Sequence, residues 1–302
     1  MLSFAVSSMT IKPVDITLAH SPDSDDAFMF YALATEKVRS PGIRFHHKLE
    51  NIQSLNEKAR AETYDVTALS FHAYAYVADR YALLDVGASF GDGYGPIVVA
   101  ARPFPPNELR GKAIAVPGKL TTAYLALKLF ENDFEARTIP FDKIPAAVKR
   151  GEAEAGLLIH EGQLTFGVMG LHKVLDLGQW WREQTGLPLP LGGNAIRRTL
   201  LPEPAKKICR YLHDSVEYAL KHREAALAYA LQFARDMDAA QADRFIGMYV
   251  NSWTLGCGDR GRQAIGKLLE RGQVAGLVPA GVSLDFVTSA QEGSASGHEE
   301  GR

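Results

Sequence analysis

The sequence has 302 residues, of which 46% are hydrophobic and 23% are charged, and this length predicts about two domains of roughly 150 residues each. Its 33 basic and 35 acidic residues leave a formal net charge of −2, which argues against a nucleic acid or an anionic membrane as the main partner. The two cysteines, Cys209 and Cys257, are too few for a disulfide framework or a four-thiolate zinc site, so we expect a small-molecule partner.

In the first part of the chain, short apolar runs that predict strands alternate with longer runs that predict helices. The first strand ends in a polar turn, in which Asp25 or Asp26 stands where the N-cap of the next helix belongs. The predicted strands are Val14–Ala19, Ile43–Glu50 and Tyr64–Leu69, and the helices that follow them are Ala27–Ala34, Asn51–Ala61 and Phe71–Arg80.

A glycine-rich passage, Gly87–Pro96, leads into an apolar run, Ile97–Ala101, that we predict to cross into a second lobe. The passage has neither the GxGxxG nor the GxxxxGK[ST] spacing of a phosphate-binding loop, and we interpret it as a flexible approach to the crossing. The second lobe repeats the pattern of the first. Its predicted strands are Lys112–Val116 and Ala155–Ile159, its helices are Thr121–Phe130 and Ile144–Lys149, the return crossing is Pro188–Ile196, and the later helical segments are Ala205–Met237, Ala239–Val250 and Gly261–Arg271.

Strands that alternate with helices predict an α/β fold with mostly parallel sheets. Two crossings predict a first lobe that is interrupted by a second one, as in two-lobed binding proteins, with the ligand cleft between the lobes. In this division the first lobe comprises residues 14–97 and 196–285, and the inserted second lobe comprises residues 98–195. Residues 286–302 are rich in glycine, serine and glutamate and are predicted to be a disordered tail.

The beginning of the chain, Met1–Met9, has no basic segment and only a short apolar run, so we expect no signal peptide and a cytoplasmic location. No stretch reaches the roughly 18 apolar residues that a membrane-spanning helix needs. A solute receptor with the same two lobes would be expected to carry an export signal or a lipoprotein cysteine near its start, and we find neither.

Polar side chains follow four predicted strands, two in each lobe: His20–Ser21, Ser70, Thr121–Thr122 and His160–Glu161. Because the carboxyl ends of parallel strands meet at one edge of a sheet, we expect all four turns to face the cleft. Each turn opens a helix, whose first free N–H groups attract an anion. A small carboxylated ligand held between Ser70 and Thr121–Thr122 fits this pattern, although a serine or threonine before a helix is more often only an N-cap.

Two of the nine histidines, His20 and His160, directly follow strands, where a catalytic base is often displayed, and His160 is the stronger candidate. A metal site is a weaker interpretation. Asp23, Asp25 and Asp26 are close enough in sequence to bind a hard cation, but their spacing matches no EF-hand loop. A turn with helix-capping aspartates explains them better, and we expect no metal.

Several segments between residues 14 and 275 together resemble a single enzyme family. They are His20–Leu33, Leu69–Tyr74, Gly93–Pro96, Val116–Tyr124, Glu154–Glu161, Asp176–Trp181 and Thr185–Gly192. The family is that of the 1,4-dihydroxy-6-naphthoate synthases, of the futalosine route to menaquinone. The block Ile159–Glu161 separates it from the sister family of chorismate dehydratases, which lacks this histidine-bearing block.

The resemblance implies a two-lobed, periplasmic-binding-protein-like (type II) fold and a cofactor-independent carbon–carbon lyase. The implied reaction converts cyclic dehypoxanthinyl futalosine, a carboxylated molecule derived from a nucleoside, into 1,4-dihydroxy-6-naphthoate by base-initiated elimination. Neutral His160 would remove the proton, since an ordinary histidine pKa of about 6.5 suits a base near neutral pH. Strand alternation predicts that Glu161 points away from the cleft. The resemblance also leads us to expect a homodimer as a partner state. The implied substrate-binding residues are Ser21, Asp26, Ala68, Leu69, Ser70, Thr121, Thr122 and Ala123.

Two alternatives remain open, a lyase similar to chorismate dehydratase and a small-carboxylate binding protein without chemistry. The turn after the first strand also departs from the family pattern. The family carries Ser-Pro-Cys-Pro-Asn-Asp, whereas Ser21–Asp26 reads Ser-Pro-Asp-Ser-Asp-Asp and keeps only Ser21, Pro22 and Asp26. Because this turn is predicted to face the cleft, the departure could change the identity or the affinity of the substrate.

Overall fold

The computed structural model of the protein describes residues 12–234 and 237–289. The beginning of the chain, Met1–Met9, and the part of the predicted tail beyond Ser289 lie outside the described residues. The described strands form two sheets, one built from the two end portions of the chain and the other from its middle. None of the described helices is long and apolar enough to span a membrane.

The first sheet combines strands from the beginning of the chain with two later ones. Its strands are β1 (Val14–His20), β2 (Ile43–Leu49), β3 (Val66–Ser70), β4 (Tyr81–Leu84), β5 (Ser89–Gly91), β11 (Leu189–Arg197) and β12 (Phe286–Val287). Their order across the sheet is β12-β4-β11-β3-β1-β2, and β5 pairs with β11. β1 runs parallel to β2 and β3, whereas β11 runs antiparallel to β3, β4 and β5.

The second sheet is formed entirely by the middle of the chain. Its strands are β6 (Ile97–Ala100), β7 (Ala113–Val116), β8 (Glu135–Thr138), β9 (Ala155–Leu158) and β10 (His172–Asp176). Their order is β10-β6-β9-β7-β8. β7 runs parallel to β8 and β9, and β6 runs antiparallel to β9 and β10. All residues of β6, β7 and β9 are buried, as expected of central strands that are covered on both faces.

The prediction of mostly parallel sheets is wrong for the two crossing strands, β6 and β11, because both run antiparallel to their neighbours. A parallel connection needs a crossover segment, usually a helix, that returns the chain to the same end of the sheet. The crossing strands enter from the other sheet without such a crossover segment, so they run antiparallel to their neighbours. The strands that carry the predicted site residues are nevertheless parallel pairs, β1 with β3 and β7 with β9.

Helices cover both sheets, and the first of them is apolar on every side because it is buried among later helices. Phe28, Met29 and Phe30 in this helix are at most 2% exposed and belong to one apolar cluster with Ile208, Leu212 and Ala226 of the C-terminal helices. The helices are α1 (Ser24–Ala34), α2 (Ile52–Arg60), α3 (Phe71–Tyr74), α4 (Thr122–Phe130), α5 (Ile144–Lys149), α6 (Gly162–Thr165), α7 (Leu177–Thr185), α8 (Ala205–Lys221), α9 (Arg223–Ala230), α10 (Ala239–Tyr249), α11 (Ser252–Leu255) and α12 (Gly258–Val274).

Two predicted helices are shorter than expected. The helix predicted over 71–80 ends at Tyr74, since the chain must turn before β4 can join the sheet. The helical segment predicted over 205–237 is broken at His222 into α8 and α9. The Gly87–Pro96 passage is a packed turn that contains β5, with Gly91, Gly95 and Pro96 buried, so the interpretation of a flexible approach is wrong.

We propose that each sheet is the core of one lobe. On this basis the first lobe comprises residues 14–91 and 189–289, and the second is centred on residues 97–176. The division drawn from the sequence placed a boundary at residue 196, inside β11, and started the tail at residue 286, where Phe286 and Val287 pair with β4. We therefore move both boundaries.

Candidate functional site

A cavity lies between the two sheets, beyond the carboxyl ends of β1, β3, β7 and β9. Its wall is polar at these strand ends and apolar elsewhere, where Ile52, Ile159, Leu191 and Phe245 contribute. The nine site residues predicted from the sequence all line this one cavity: Ser21, Asp26, Ala68, Leu69, Ser70, Thr121, Thr122, Ala123 and His160. The individual roles of these residues remain predictions.

The turn after β1 brings three aspartates to the beginning of α1. Asp26 accepts a hydrogen bond from the Ser21 backbone N–H (2.6 Å), and the Ser21 hydroxyl accepts one from the Asp23 N–H (3.2 Å). The N-cap position is occupied by Asp23, not by Asp25 or Asp26 as predicted from the sequence. Asp23 is 2% exposed, and its carboxylate Oδ2 lies 3.3 Å from Nδ1 of His160.

His160 follows β9 with a backbone φ of +53°, in the left-handed region that residues other than glycine rarely adopt. Such strain is often found at functional sites. The imidazole packs edge-on against the Phe141 ring, with 5.0 Å between ring centroids. Its Nε2 is buried and has no hydrogen-bond partner among the described residues, while Nδ1 faces the Asp23 carboxylate. The nitrogen that remains free to meet a ligand is therefore Nε2.

The charged groups around His160 shift its pKa away from the ordinary value of a histidine side chain. Burial lowers the pKa of His160, but the negative charges of Asp23, Asp25, Glu161 and Asp26 act in the opposite direction, and the net pKa is raised. Burial, together with the charge of Asp26, raises the pKa of Asp25 to about 8, and burial raises the pKa of Asp26 to about 6. The cluster consequently holds more protons near neutral pH than isolated groups would.

Replacing Asp25 by asparagine is expected to stabilise the fold increasingly as the pH rises from about 4 to about 8. In this range the unfolded carboxyl is ionised while the folded one keeps its proton, because its pKa is raised to about 8, so the wild type loses stability with increasing pH. We expect a gain of about 2 kcal/mol at pH 8 and a smaller one at pH 5. Thermal unfolding of both proteins at these two pH values measures the difference, and a gain independent of pH would contradict it.

Ser70 is fixed by a residue that the sequence did not single out, Asn56 of α2. The Asn56 side-chain Nδ2 donates to the Ser70 hydroxyl (3.0 Å), and its Oδ1 accepts from the Ser70 N–H (2.8 Å). Asn56 is fully buried and also donates to the backbone carbonyl of Leu120 (3.4 Å), just before α4. It therefore connects the predicted ligand contacts of the two sheets.

At the beginning of α4, the Thr121 hydroxyl group caps the helix, whereas the Thr122 hydroxyl group keeps a proton that it can donate. Thr121 is the N-cap: its Oγ1 accepts from the Tyr124 N–H (3.2 Å) and donates to the Gly118 carbonyl (2.8 Å). The Thr122 hydroxyl accepts from the His72 N–H (3.2 Å), which leaves its own proton to donate. The first N–H groups of a helix have no intrahelical acceptor, so Thr122 and Ala123 offer donors to an anion at this point.

The other histidine candidate is not placed to act as a base. His20 is 4% exposed, Nδ1 lies 3.0 Å from the Ser21 carbonyl and Nε2 lies 3.0 Å from His47 Nδ1. Burial lowers the pKa of His20 to about 3, so it stays neutral. Both ring nitrogens are engaged, and His20 does not line the cavity. His72 does not line the cavity either, and its Nδ1 lies 3.2 Å from the Thr121 carbonyl.

Further contacts join the two sheets around the cavity. The Tyr249 hydroxyl, at the end of α10, donates to Oε1 of Gln163 in α6 (2.6 Å). The Leu120 N–H donates to Oε1 of Gln53 in α2 (3.3 Å). Tyr249 and Gln163 line the cavity, and neither was predicted, because their pairing joins residues 86 positions apart.

Three residues of the kinds that bind metals lie together at His160. Asp23, His160 and Glu161 each have one ligand atom within 4.8 Å of the others. Glu161 does not line the cavity and instead lines a neighbouring pocket with Phe141 and Thr165, so the prediction that it points away from the cleft stays a prediction. Since His160 already faces the Asp23 carboxylate at ion-pair distance, we interpret the group as an ion-pair cluster and not as a metal centre.

Comparison with known proteins identifies relatives over nearly the whole described chain. Residues 16–274 match a family model described as menaquinone biosynthesis. A protein of Thermus thermophilus named 1,4-dihydroxy-6-naphtoate synthase is 40% identical over 262 residues, which cover 87% of this chain and 95% of the relative. A crystal structure of a protein from Archaeoglobus fulgidus is 48% identical with a TM-score of 0.85 and covers 87% of this chain and 98% of that one.

A more distant structure bears on the fold alone. The alkanesulfonate-binding protein of Xanthomonas axonopodis pv. citri is 12% identical, with a TM-score of 0.67 over 89% of this chain and 95% of that one. This likeness confirms the predicted α/β fold of the periplasmic-binding-protein type, with two sheets that form two lobes.

Proposed function

The chain belongs to the menaquinone-biosynthesis family, and we propose that it is the lyase that converts cyclic dehypoxanthinyl futalosine into 1,4-dihydroxy-6-naphthoate. Its curated relatives carry the name of that synthase. The observation that carries the proposal is the position of His160 in a cavity lined from both sheets, where its Nε2 is buried without a hydrogen-bond partner in the part of the chain that the structure describes. A binding protein needs no such base.

The proposed reaction begins with proton transfer from a substrate carbon to Nε2 of His160. The electron pair of the broken C–H bond becomes a new ring double bond, and the bond to the sugar-derived fragment breaks with its electron pair going to the fragment. The fragment then takes up a proton, so the reaction needs no oxidant or reductant. Formation of the aromatic naphthoate supplies driving force, and a well-placed base contributes about 10²–10⁴-fold to the rate.

Neutral His160 is required for the first step, although its net pKa is raised. The rate should therefore increase as the pH rises through the pKa of His160, because only the unprotonated imidazole accepts a proton. Asp23 lies at Nδ1 and favours the tautomer that carries its proton there, which leaves the Nε2 lone pair to act.

The experiment that tests this function is a comparison of two substrates. Purified protein is incubated with cyclic dehypoxanthinyl futalosine or with chorismate, and the products are identified by chromatography and mass spectrometry. We expect 1,4-dihydroxy-6-naphthoate from the first and no turnover of the second. Dehydration of chorismate would instead identify a chorismate dehydratase-like lyase, and binding without turnover of either would identify a binding protein.

We further propose that a substrate carboxylate binds at the beginning of α4, at the N–H groups of Thr122 and Ala123 and the Thr122 hydroxyl. The positive end of the α4 dipole supports this placement, and it matters because the chain as a whole carries a net charge of −2 and offers no general attraction for an anion.

Replacing Thr122 by valine should raise the substrate KM about tenfold, the value of one hydrogen bond to a charged group, with a smaller change in kcat. Thr122→Ser keeps the hydroxyl group and serves as the matched control, with a KM within about twofold of wild type. Steady-state kinetics of the three proteins measure the difference. Equal KM values for the valine and serine variants would place the carboxylate elsewhere.

The predicted cytoplasmic location and the predicted homodimer are part of this proposal. Cell fractionation tests the first, and light scattering on the purified protein tests the second.

A further inference from the structure

The base and its nearest carboxylate come from different sheets. Asp23 follows β1 of the first sheet, and His160 follows β9 of the second. Their Oδ2 and Nδ1 atoms are 3.3 Å apart, and the Asp23 side chain is 2% exposed. Ion pairs on the solvated surface contribute little to the free energy of folding. This contact is well buried and is not of that kind.

We propose that Asp23 is the positioning residue of His160 and that the pair is assembled across the cleft, so that the base has its working orientation when the two lobes are closed. This inference rests on the proposed function and adds to it a role for Asp23, which the sequence analysis interpreted only as part of a helix-capping turn.

The geometry gives Asp23 two effects on the base. A carboxylate at Nδ1 fixes the ring orientation and the tautomer, and it stabilises the imidazolium that forms when Nε2 takes a proton. Thiol and amide groups in the same place would not carry the negative charge. The strained backbone of His160, with φ +53°, is consistent with a ring whose direction is set by its partner across the cleft.

Other groups face the same imidazole and must be separated from Asp23. Asp25 and Asp26 belong to the same turn, Glu161 is the next residue after His160, and their charges also raise the pKa of His160. The Phe141 ring packs against the imidazole and carries no charge.

A second contact between the lobes, from Tyr249 to Gln163, accompanies the pair at the cavity wall. Lobe opening would break both contacts together. In the opened protein, His160 would lack its carboxylate partner and would not be held in its working orientation. Proton removal would therefore be confined to the enclosed cavity.

The test uses Asp23→Asn and Asp23→Glu in the full-length protein. We expect Asp23→Asn to lower kcat about 10²-fold, and Asp23→Glu, which keeps the charge, to recover part of that loss. In a His160→Asn background, Asp23→Asn should have no further effect on kcat, because the group that it positions is already gone. The matched control is Asp79→Asn, which removes a carboxylate that is 76% exposed and should leave kcat unchanged.

A second readout does not depend on turnover. The pKa of His160 is measured by NMR on protein with labelled histidine, its signal assigned by its loss in His160→Asn. We expect the pKa to be lower by at least about one pH unit in Asp23→Asn, since an opposing charge at this distance raises a histidine pKa by that much.

The two experiments separate failure of this inference from failure of the proposed function. If the wild type forms no naphthoate but Asp23→Asn still lowers the pKa of His160, the function is wrong and the pairing stands. If product forms, while Asp23→Asn changes neither the pKa of His160 nor kcat, the inference is overturned. An equal loss of kcat in the wild-type and His160→Asn backgrounds would make Asp23 merely structural and would also overturn it.

Discussion

His160→Asn lowers kcat by about 10³-fold or more, while the dissociation constant of the substrate changes less than about threefold. The asparagine side chain has no basic nitrogen, so it cannot accept the proton that starts the elimination. Asparagine is also the side chain best suited to the φ of +53° at this position, because asparagine is enriched several-fold in the left-handed region. The backbone around the cavity should therefore be preserved.

Single-turnover kinetics and equilibrium binding on the same preparation separate the two effects. The control is Phe141→Leu, which removes the ring that packs on His160 but leaves the base in place and should cost far less in kcat. Turnover by His160→Asn within tenfold of wild type would assign the base to another residue, and a large loss of binding with little loss of kcat would make His160 a ligand contact.

Gly178→Ala is the second large expected effect, and it acts on stability. Gly178 lies in the first turn of α7, directly against the turn that leads from β5 to β6. A Cβ at this position would lie 1.8 Å from the backbone oxygen of Tyr94 and 2.1 Å from its carbonyl carbon. Because the obstacle is main chain, a side-chain rotation cannot relieve the overlap, and one of the two segments must move.

We expect a loss of more than about 3 kcal/mol in the free energy of unfolding, which for a chain of this size lowers Tm by about 6–12 °C. Gly167→Ala is the matched control, since apart from its two chain neighbours no heavy atom of the described residues lies within 4 Å of its Cβ position. Calorimetry of both variants measures the difference. Equal Tm values would mean that α7 does not pack as closely on Tyr94 as the structure has it.

The strands and helices that line the cavity were predictable from the sequence because their patterns are strong. The apolar runs before His20, Ser70 and His160 are central strands, and central strands read as continuous apolar segments. The turns after them are polar, so both the strand ends and the residues displayed there could be found without a structure.

The elements that the sequence analysis missed have weak patterns for physical reasons. β8 (Glu135–Thr138) lies at the edge of the second sheet, with mostly exposed side chains, so it has no apolar alternation. α7 is short, but Asp176 at its N-cap and Gly186 in the left-handed conformation at its end were detectable capping signals.

The partners of the site residues could not be predicted, because they depend on how the two lobes meet. Asp23 with His160, and Tyr249 with Gln163, are distant in sequence and come from different sheets. The local pattern around Asp23 indicates a helix cap, and only the fold brings His160 to it. The raised pKa of His160 has the same origin and could not be derived from an isolated histidine.

The central claim is that the cavity between the lobes holds the substrate with a reacting carbon at His160. A crystal structure of His160→Asn with cyclic dehypoxanthinyl futalosine tests it directly, because that variant should bind without turnover. We predict density between Ser70 and Thr122, with the carboxylate at the beginning of α4 and a substrate C–H within about 3.5 Å of the position that Nε2 occupies. Substrate bound outside this cavity, or turned with its reacting carbon away from residue 160, would contradict the account.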